Sequence, residues 1–168
     1  EEWGRLGGWT SSSGRGWANL SNAPFRMYKR FTHEGGVATP LIVHWPAGLK
    51  SQGELRHAPS HIIDIAPTCL SAAGLSVKGM EGQSLEPVFT EDSRKERTLY
   101  WEHEGNRAVR KGNYKLVAIH DTPWELYDMT KDRSELKDLS SSMPKKSKEL
   151  RTLYGAWAKR VGALPWNE

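Results

Sequence analysis

The run VATPLIVHWP, Val37–Pro46, constrains the fold more than any other stretch of the chain. It is continuous in apolar and β-branched residues, with Gly35-Gly36 before it and Pro46 at its end. A run that does not alternate with polar residues suits a strand buried on both faces, as in largely parallel sheets covered by helices. Pro40 has no amide donor, so pairing is expected to begin at Leu41. One such strand cannot make a sheet. The chain of 168 residues opens on EEWGRLGG without an initiator Met, and is expected to be the last part of a larger α/β fold whose other strands lie upstream.

Residues 1–24 are rich in Gly, Ser, Trp and Asn and show no period. They are expected to form a long surface loop, with Trp3, Trp9 and Trp17 arguing against plain disorder. SHIIDIAPTCLSAAG, Ser60–Gly74, reads as helix: Ser60 caps, Ile62, Ala66, Leu70 and Ala73 share a stripe, and Gly74 stops it. Pro67 inside it implies a kink or two abutting helices. Thr98–Glu104, Arg107–His120 and Pro123–Met129 read as short strands, with a turn at Lys111-Gly112-Asn113. An amphipathic helix follows from Pro144, with Leu150, Leu153, Tyr154, Trp157, Ala158 and Val161 at helical spacing. The expected fold class is therefore α/β: the end of a larger mixed, largely parallel sheet with flanking helices, then a small α+β subdomain. The division is expected between residues 1–90 and 91–168.

The charge is mildly basic, 24 Lys and Arg against 20 Asp and Glu. That excess is too small and too scattered to argue for nucleic acid, and PKKSKELR reads as the solvated face of a helix. A single cysteine excludes an internal disulfide and a cysteine-rich metal site; within its apolar stretch, Cys69 is expected to be a buried, inert thiol. No apolar run is long enough to span a membrane. His57, His61, His103 and His120 show no metal-ligand spacing, so no metal is assigned to this chain.

Two patches carry polar chemistry. In RMYKRFTHEGG, Lys29 sits between aromatics ahead of Glu34-Gly35-Gly36; it is either a surface charge on a loop or an ammonium aimed at an anion. The glycines allow positive φ or a close backbone approach, and Glu34 is expected to cap or pair locally. His33 is a candidate contact beside Lys29. In WEHEGNRAVR, His103, Asn106 and Arg107 gather at a strand-to-strand turn, a second polar patch that also reads as ordinary turn chemistry.

Taken in order, the segments resemble the C-terminal part of a type I sulfatase, the arylsulfatase-like branch of the alkaline-phosphatase superfamily. Ser21–Leu49 resembles the family's segment with a lysine ahead of Glu-Gly-Gly and a Pro before a strand. Ser60–Leu75 resembles its Asp…Pro-Thr helix, and Gly82–Phe89 its Gly-x-Ser-Leu link. Asn106–Val117 and Trp124–Leu139 resemble its closing sheet. The resemblance implies hydrolysis of sulfate monoesters, including those of carbohydrates, with Lys29 contacting the sulfate and His103, Asn106 and Arg107 lining the pocket as contacts to a sugar or leaving group. It also implies calcium and a formylglycine made within a Cys/Ser-x-Pro/Ala-x-Arg motif. Cys69 is followed by LSAA, and neither this motif nor the family's Asp pair and Asp-Asn is present. The chain is therefore expected to bind no cofactor of its own, to be inactive alone, and to need the remainder of the sulfatase domain. The family implies a periplasmic, secreted or lysosomal setting. Two other readings stand beside this one: a phosphate or phosphonate ester hydrolase of the same superfamily, and a non-catalytic module binding sulfated glycans through Lys29, Arg107 and the Trp-rich loop.

Overall fold

Four short runs of alternating residues build one sheet. The computed structural model describes residues 14–50, 53–92, 96–163 and 165–166. Within them, β1 (Thr98–His103), β2 (Asn106–Lys111), β3 (Tyr114–Ala118) and β4 (Glu125–Asp128) pair antiparallel in chain order. His103 faces Asn106 across the first turn and Lys111 faces Tyr114 across the second. Alternation sends Val109, Leu116 and Leu126 to one face, where they bury Leu150 of the helix α5 (Pro144–Val161). Tyr100 stacks on Trp157 with ring centroids 5.0 Å apart. Pro144 lies in the first turn of α5, where a missing amide hydrogen costs nothing, and Gly162 closes it in the left-handed conformation at φ 72°.

The opposite face carries Ala108, Val117, Tyr127 and Met129, with Trp101 packed against them. Here the apolar cover is incomplete: Lys115 lies on this face and is fully buried. Its partners are Glu34, at the start of the short helix α2 (Glu34–Val37), and Glu135, in the segment after β4.

The chain divides into two units, one made of Glu1–Pro40 with Arg97–Glu168, the other of Leu41–Glu96. In the second, a 3-10 turn (Ile62–Asp64) runs directly into α3 (Ile65–Ala72), followed by α4 (Glu86–Thr90). Of the two readings of Pro67, the abutting pair is the one found, with Pro67 in the first turn of α3. His61, not Ser60, caps the pair: it accepts from the Ile63 amide, and Asp64 accepts from the His61 amide. Thr68 Oγ1 accepts from the Leu85 amide at 2.8 Å, tying α3 to the chain leading into α4.

Three expectations are corrected. No strand forms over Val37–Pro46: Val37 ends α2, and Leu41–His44 are exposed, Ile42 at 90%. A central strand needs neighbours for its amides and carbonyls, and the one described sheet, β1–β4, does not include this run, so the larger parallel sheet is not in this chain. Residues 14–22, expected as loop, form the helix α1 (Gly14–Asn22), which includes Trp17; Trp3 and Trp9 lie outside the described residues. Cys69 is exposed rather than buried, because its side of α3 is left uncovered by the described residues.

Candidate functional site

The Glu-Gly-Gly turn is a device for holding a loop against the sheet. Lys115 Nζ pairs with Glu34 Oε1 at 3.0 Å and with Glu135 Oε1 at 2.8 Å. Glu135 Oε2 accepts from the Glu34 amide at 2.8 Å, and Arg133 donates to Glu34 Oε2 at 3.1 Å. The partner of Glu34 is thus 81 residues away, not local as expected. Burial alone raises the Glu34 carboxyl, but Lys115 and Arg133 outweigh it and hold it below its ordinary value. Gly35 and Gly36 serve close approach rather than positive φ. A Cβ on Gly35 would overlap the carbonyls of Arg26 and Met27, and one on Gly36 that of Phe31. The backbone of residues 26–31 therefore lies directly on the two glycines, and the Gly35 amide donates to the Arg26 carbonyl at 2.9 Å.

A second cluster surrounds Glu125, at the start of β4. Its Oε2 accepts from His33 Nε2 at 3.1 Å, from the Tyr127 hydroxyl at 2.8 Å and from Arg26 Nη1 at 3.3 Å. Arg26 Nη1 also donates to the Tyr127 hydroxyl oxygen at 2.8 Å and to the Glu135 carbonyl at 2.7 Å. Burial pushes the His33 imidazole below its ordinary value of 6.5, so it sits neutral with the proton on Nε2. Burial would raise Glu125, but the hydrogen bonds from His33 and Tyr127 and the Arg26 charge hold it down. Both shifts have the same consequence for stability. Above about pH 6.5 the folded and unfolded states bind the same protons at His33; below it the unfolded imidazole takes a proton that the buried one refuses. Stability is therefore expected to fall as pH drops below about 6.5, with the Glu125 contribution lost at lower pH. Urea denaturation between roughly pH 7 and 5 checks this, and His33→Gln is expected to flatten the slope there.

Above this clamp the loop turns Lys29 outward. Met27 and Arg30, on either side of it, have φ of 64° and 99°, values that non-glycine residues rarely adopt. Lys29 is exposed, and no described residue bonds its ammonium. The tip of the β1–β2 hairpin meets this loop. Glu104 and Gly105, at φ 50° and 75°, make the two-residue turn favoured in tight hairpins. A Cβ on Gly105 would run into the His120 ring. Asn106 is buried; its amide nitrogen donates to the His103 carbonyl at 3.0 Å and the Arg30 carbonyl at 3.3 Å, and its oxygen accepts from the His120 amide at 3.3 Å. Arg30 pairs with Glu104 across the gap.

The five residues singled out from sequence therefore have different places. Lys29 and His103 are both exposed, on a loop and a hairpin tip that Asn106 and Arg30 join. Asn106 locks the junction from beneath. His33 is fully buried against Glu125. Arg107 points to the α5 face of the sheet, where its guanidinium lies 4.9 Å over the Trp124 ring and donates to the Thr122 carbonyl at 3.4 Å. Sequence reasoning missed Arg26, Glu125, Lys115 and Glu135, which hold the loop. The one signal was Lys115, a charge at a core position of the strand YKLVA. Among the described residues no group of three or more His, Cys, Asp or Glu could hold a metal ion.

The family described as "N-sulphoglucosamine sulphohydrolase, C-terminal" matches residues 25–154. The chain is 32% identical over 165 residues to an uncharacterized sulfatase of Schizosaccharomyces pombe, covering 88% of this chain and 30% of that protein. It is 32% identical over 143 residues to an N-acetylglucosamine-6-O-sulfatase of Bacteroides thetaiotaomicron, covering 74% and 25%. With an N-acetylgalactosamine-6-sulfatase of Mus musculus the identity is 35% over 118 residues, covering 67% and 22%. The chain thus spans less than a third of the length of these curated relatives. The fold is similar to the crystal structure of Ps i-CgsB, with a TM-score of 0.70 at 24% identity, covering 81% of this chain and 32% of that one.

Proposed function

We propose, from the premise that this chain belongs to the sulfatases and is the C-terminal part of one, that it holds out the lysine that grips the sulfate of a sulfated carbohydrate. The observation that carries this reading is the exposed ammonium of Lys29, bonded by no described residue, on a loop clamped to the sheet and joined to the hairpin tip at His103–Asn106. A lysine ammonium is a compact point charge suited to a tetrahedral oxyanion. As the bond between sulfur and the sugar oxygen lengthens, Lys29 stabilises charge gathering on the sulfate and the departing oxygen. Water supplies the atoms that complete hydrolysis to the free hydroxyl and sulfate. His103 lies at the rim, where it can donate to a sugar hydroxyl, while Asn106 and His33 act from below as supports. Arg107, turned to the other face, is left out of this site.

Calcium and formylglycine are general properties of the family, but the residues here do not fit them. Cys69 stands in Cys-Leu-Ser-Ala-Ala, and no described carboxylate cluster could seat a cation. Both groups are assigned to the part of the parent protein outside this chain, as is the sheet that the exposed run Leu41–His44 would join. The parent is expected to work in a periplasmic, extracellular or lysosomal compartment.

The named relatives that act on 6-sulfated N-acetylhexosamines set the test. Full-length protein is expected to release sulfate from 6-sulfated N-acetylglucosamine or N-acetylgalactosamine and to leave phosphate esters nearly untouched. Faster turnover of phosphodiesters than of any sulfate ester would overturn the reading.

A further inference from the structure

Both feet of the Lys29 loop rest on one carboxylate oxygen. Arg26 and His33 bracket Lys29 in the chain, and both donate to Glu125 Oε2, at 3.3 and 3.1 Å. Tyr127 donates to the same oxygen at 2.8 Å and receives Arg26 at 2.8 Å, so that Arg26, Glu125 and Tyr127 close a three-residue ring of bonds to which His33 attaches at Glu125. From Arg26 the ring reaches the rest of the clamp through the Glu135 carbonyl at 2.7 Å. The left-handed backbone at Met27 and Arg30 lies inside the stretch so bracketed. Such conformations persist only where the surroundings over-determine them. Glu125 is two-thirds buried by its side chain and comes from β4, so it ties the loop to the sheet.

We infer that Glu125 is a positioning residue for Lys29: it fixes the ammonium's place by tying the two ends of its loop, without touching substrate. This rests on the reading of Lys29 as the sulfate contact. Its ionised form is required, because one oxygen must accept from three donors, and a neutral amide oxygen is a weaker acceptor. Charge-assisted bonds of this kind hold geometry that catalysis feels strongly, since displacement by about 1 Å costs up to about a hundredfold in rate.

The test is a cycle in full-length protein, read as kcat and KM for a 6-sulfated N-acetylhexosamine, with folding followed by circular dichroism. Glu125→Gln is expected to lower kcat about tenfold to a hundredfold, well beyond any change in KM, in protein that remains folded at the assay temperature. In a Lys29→Ala background the same substitution is expected to change kcat little, because its effect passes through Lys29. If Glu125→Gln lowers activity equally with and without Lys29, or leaves it unchanged, the inference is overturned. If Lys29→Ala alone has no effect, it is the reading of Lys29 that fails. Should Glu125→Gln prevent folding, Arg26→Lys serves instead. It keeps the charge but loses the guanidinium that reaches Glu125, Tyr127 and Glu135 together, and its loss of kcat must likewise vanish in the Lys29→Ala background.

Discussion

Replacing Lys115 with methionine is expected to destabilise the protein by roughly 3–5 kcal/mol, more than any surface substitution. The chain length of methionine fits the space, so packing is nearly kept and the loss is electrostatic. Lys115 and Glu135 are fully buried, and Glu34 nearly so. Removing the ammonium leaves Glu135 with the Glu34 amide as its donor and Glu34 with the half-exposed Arg133, and both carboxylates remain largely shielded from water. A carboxylate stranded in this way costs more than the pair was worth, because the desolvation penalty remains after the attraction has gone. Adding Glu135→Gln to Lys115→Met is expected to recover part of the loss. Urea denaturation followed by tryptophan fluorescence measures both variants; a cost below about 1 kcal/mol for Lys115→Met would contradict a buried network.

The second large effect falls on turnover rather than stability. Lys29→Ala in full-length protein is expected to lower kcat for a sulfate ester by about a hundredfold to a thousandfold, the usual consequence of removing a donor aimed at developing charge. Stability is expected to change by less than about 0.5 kcal/mol, since Lys29 is exposed and bonds no described residue. The two substitutions thus separate the clamp from the group it presents. Lys115→Met should weaken the fold, whereas Lys29→Ala should silence chemistry in a protein that unfolds normally. Turnover within a few-fold of the parent after Lys29→Ala would return that lysine to the role of a surface charge.

Local chemistry was readable without coordinates wherever it was periodic. The four strands, the turn at Gly112 and the start of the last helix at Pro144 are written in alternation, in helical spacing and in Pro and Gly at element ends. The apolar run Val37–Pro46 was equally strong as a pattern, yet it forms no strand. Periodicity reports which faces a segment could bury, and a strand also needs partners, which the described residues do not provide.

The residues at the candidate site follow the same division. Sequence picks out Lys29 and the Glu-Gly-Gly turn by type and order, and the hairpin tip by its turn residues. It leaves their relation open, because Glu34 meets Lys115 and Arg26 meets Glu125 only once the sheet has formed and its inner face has been chosen. A charge on a strand reads as solvent-facing until the opposing segment is in place. Arg107, next to Asn106 in the chain, goes to the opposite face because side chains in a strand alternate. Which residues could form a strand, a cap or a turn was settled by chain-local sterics and hydrogen bonding. Which charges would be buried together, and so which loop is held still enough to present a lysine, was settled by long-range pairing that no local pattern encodes.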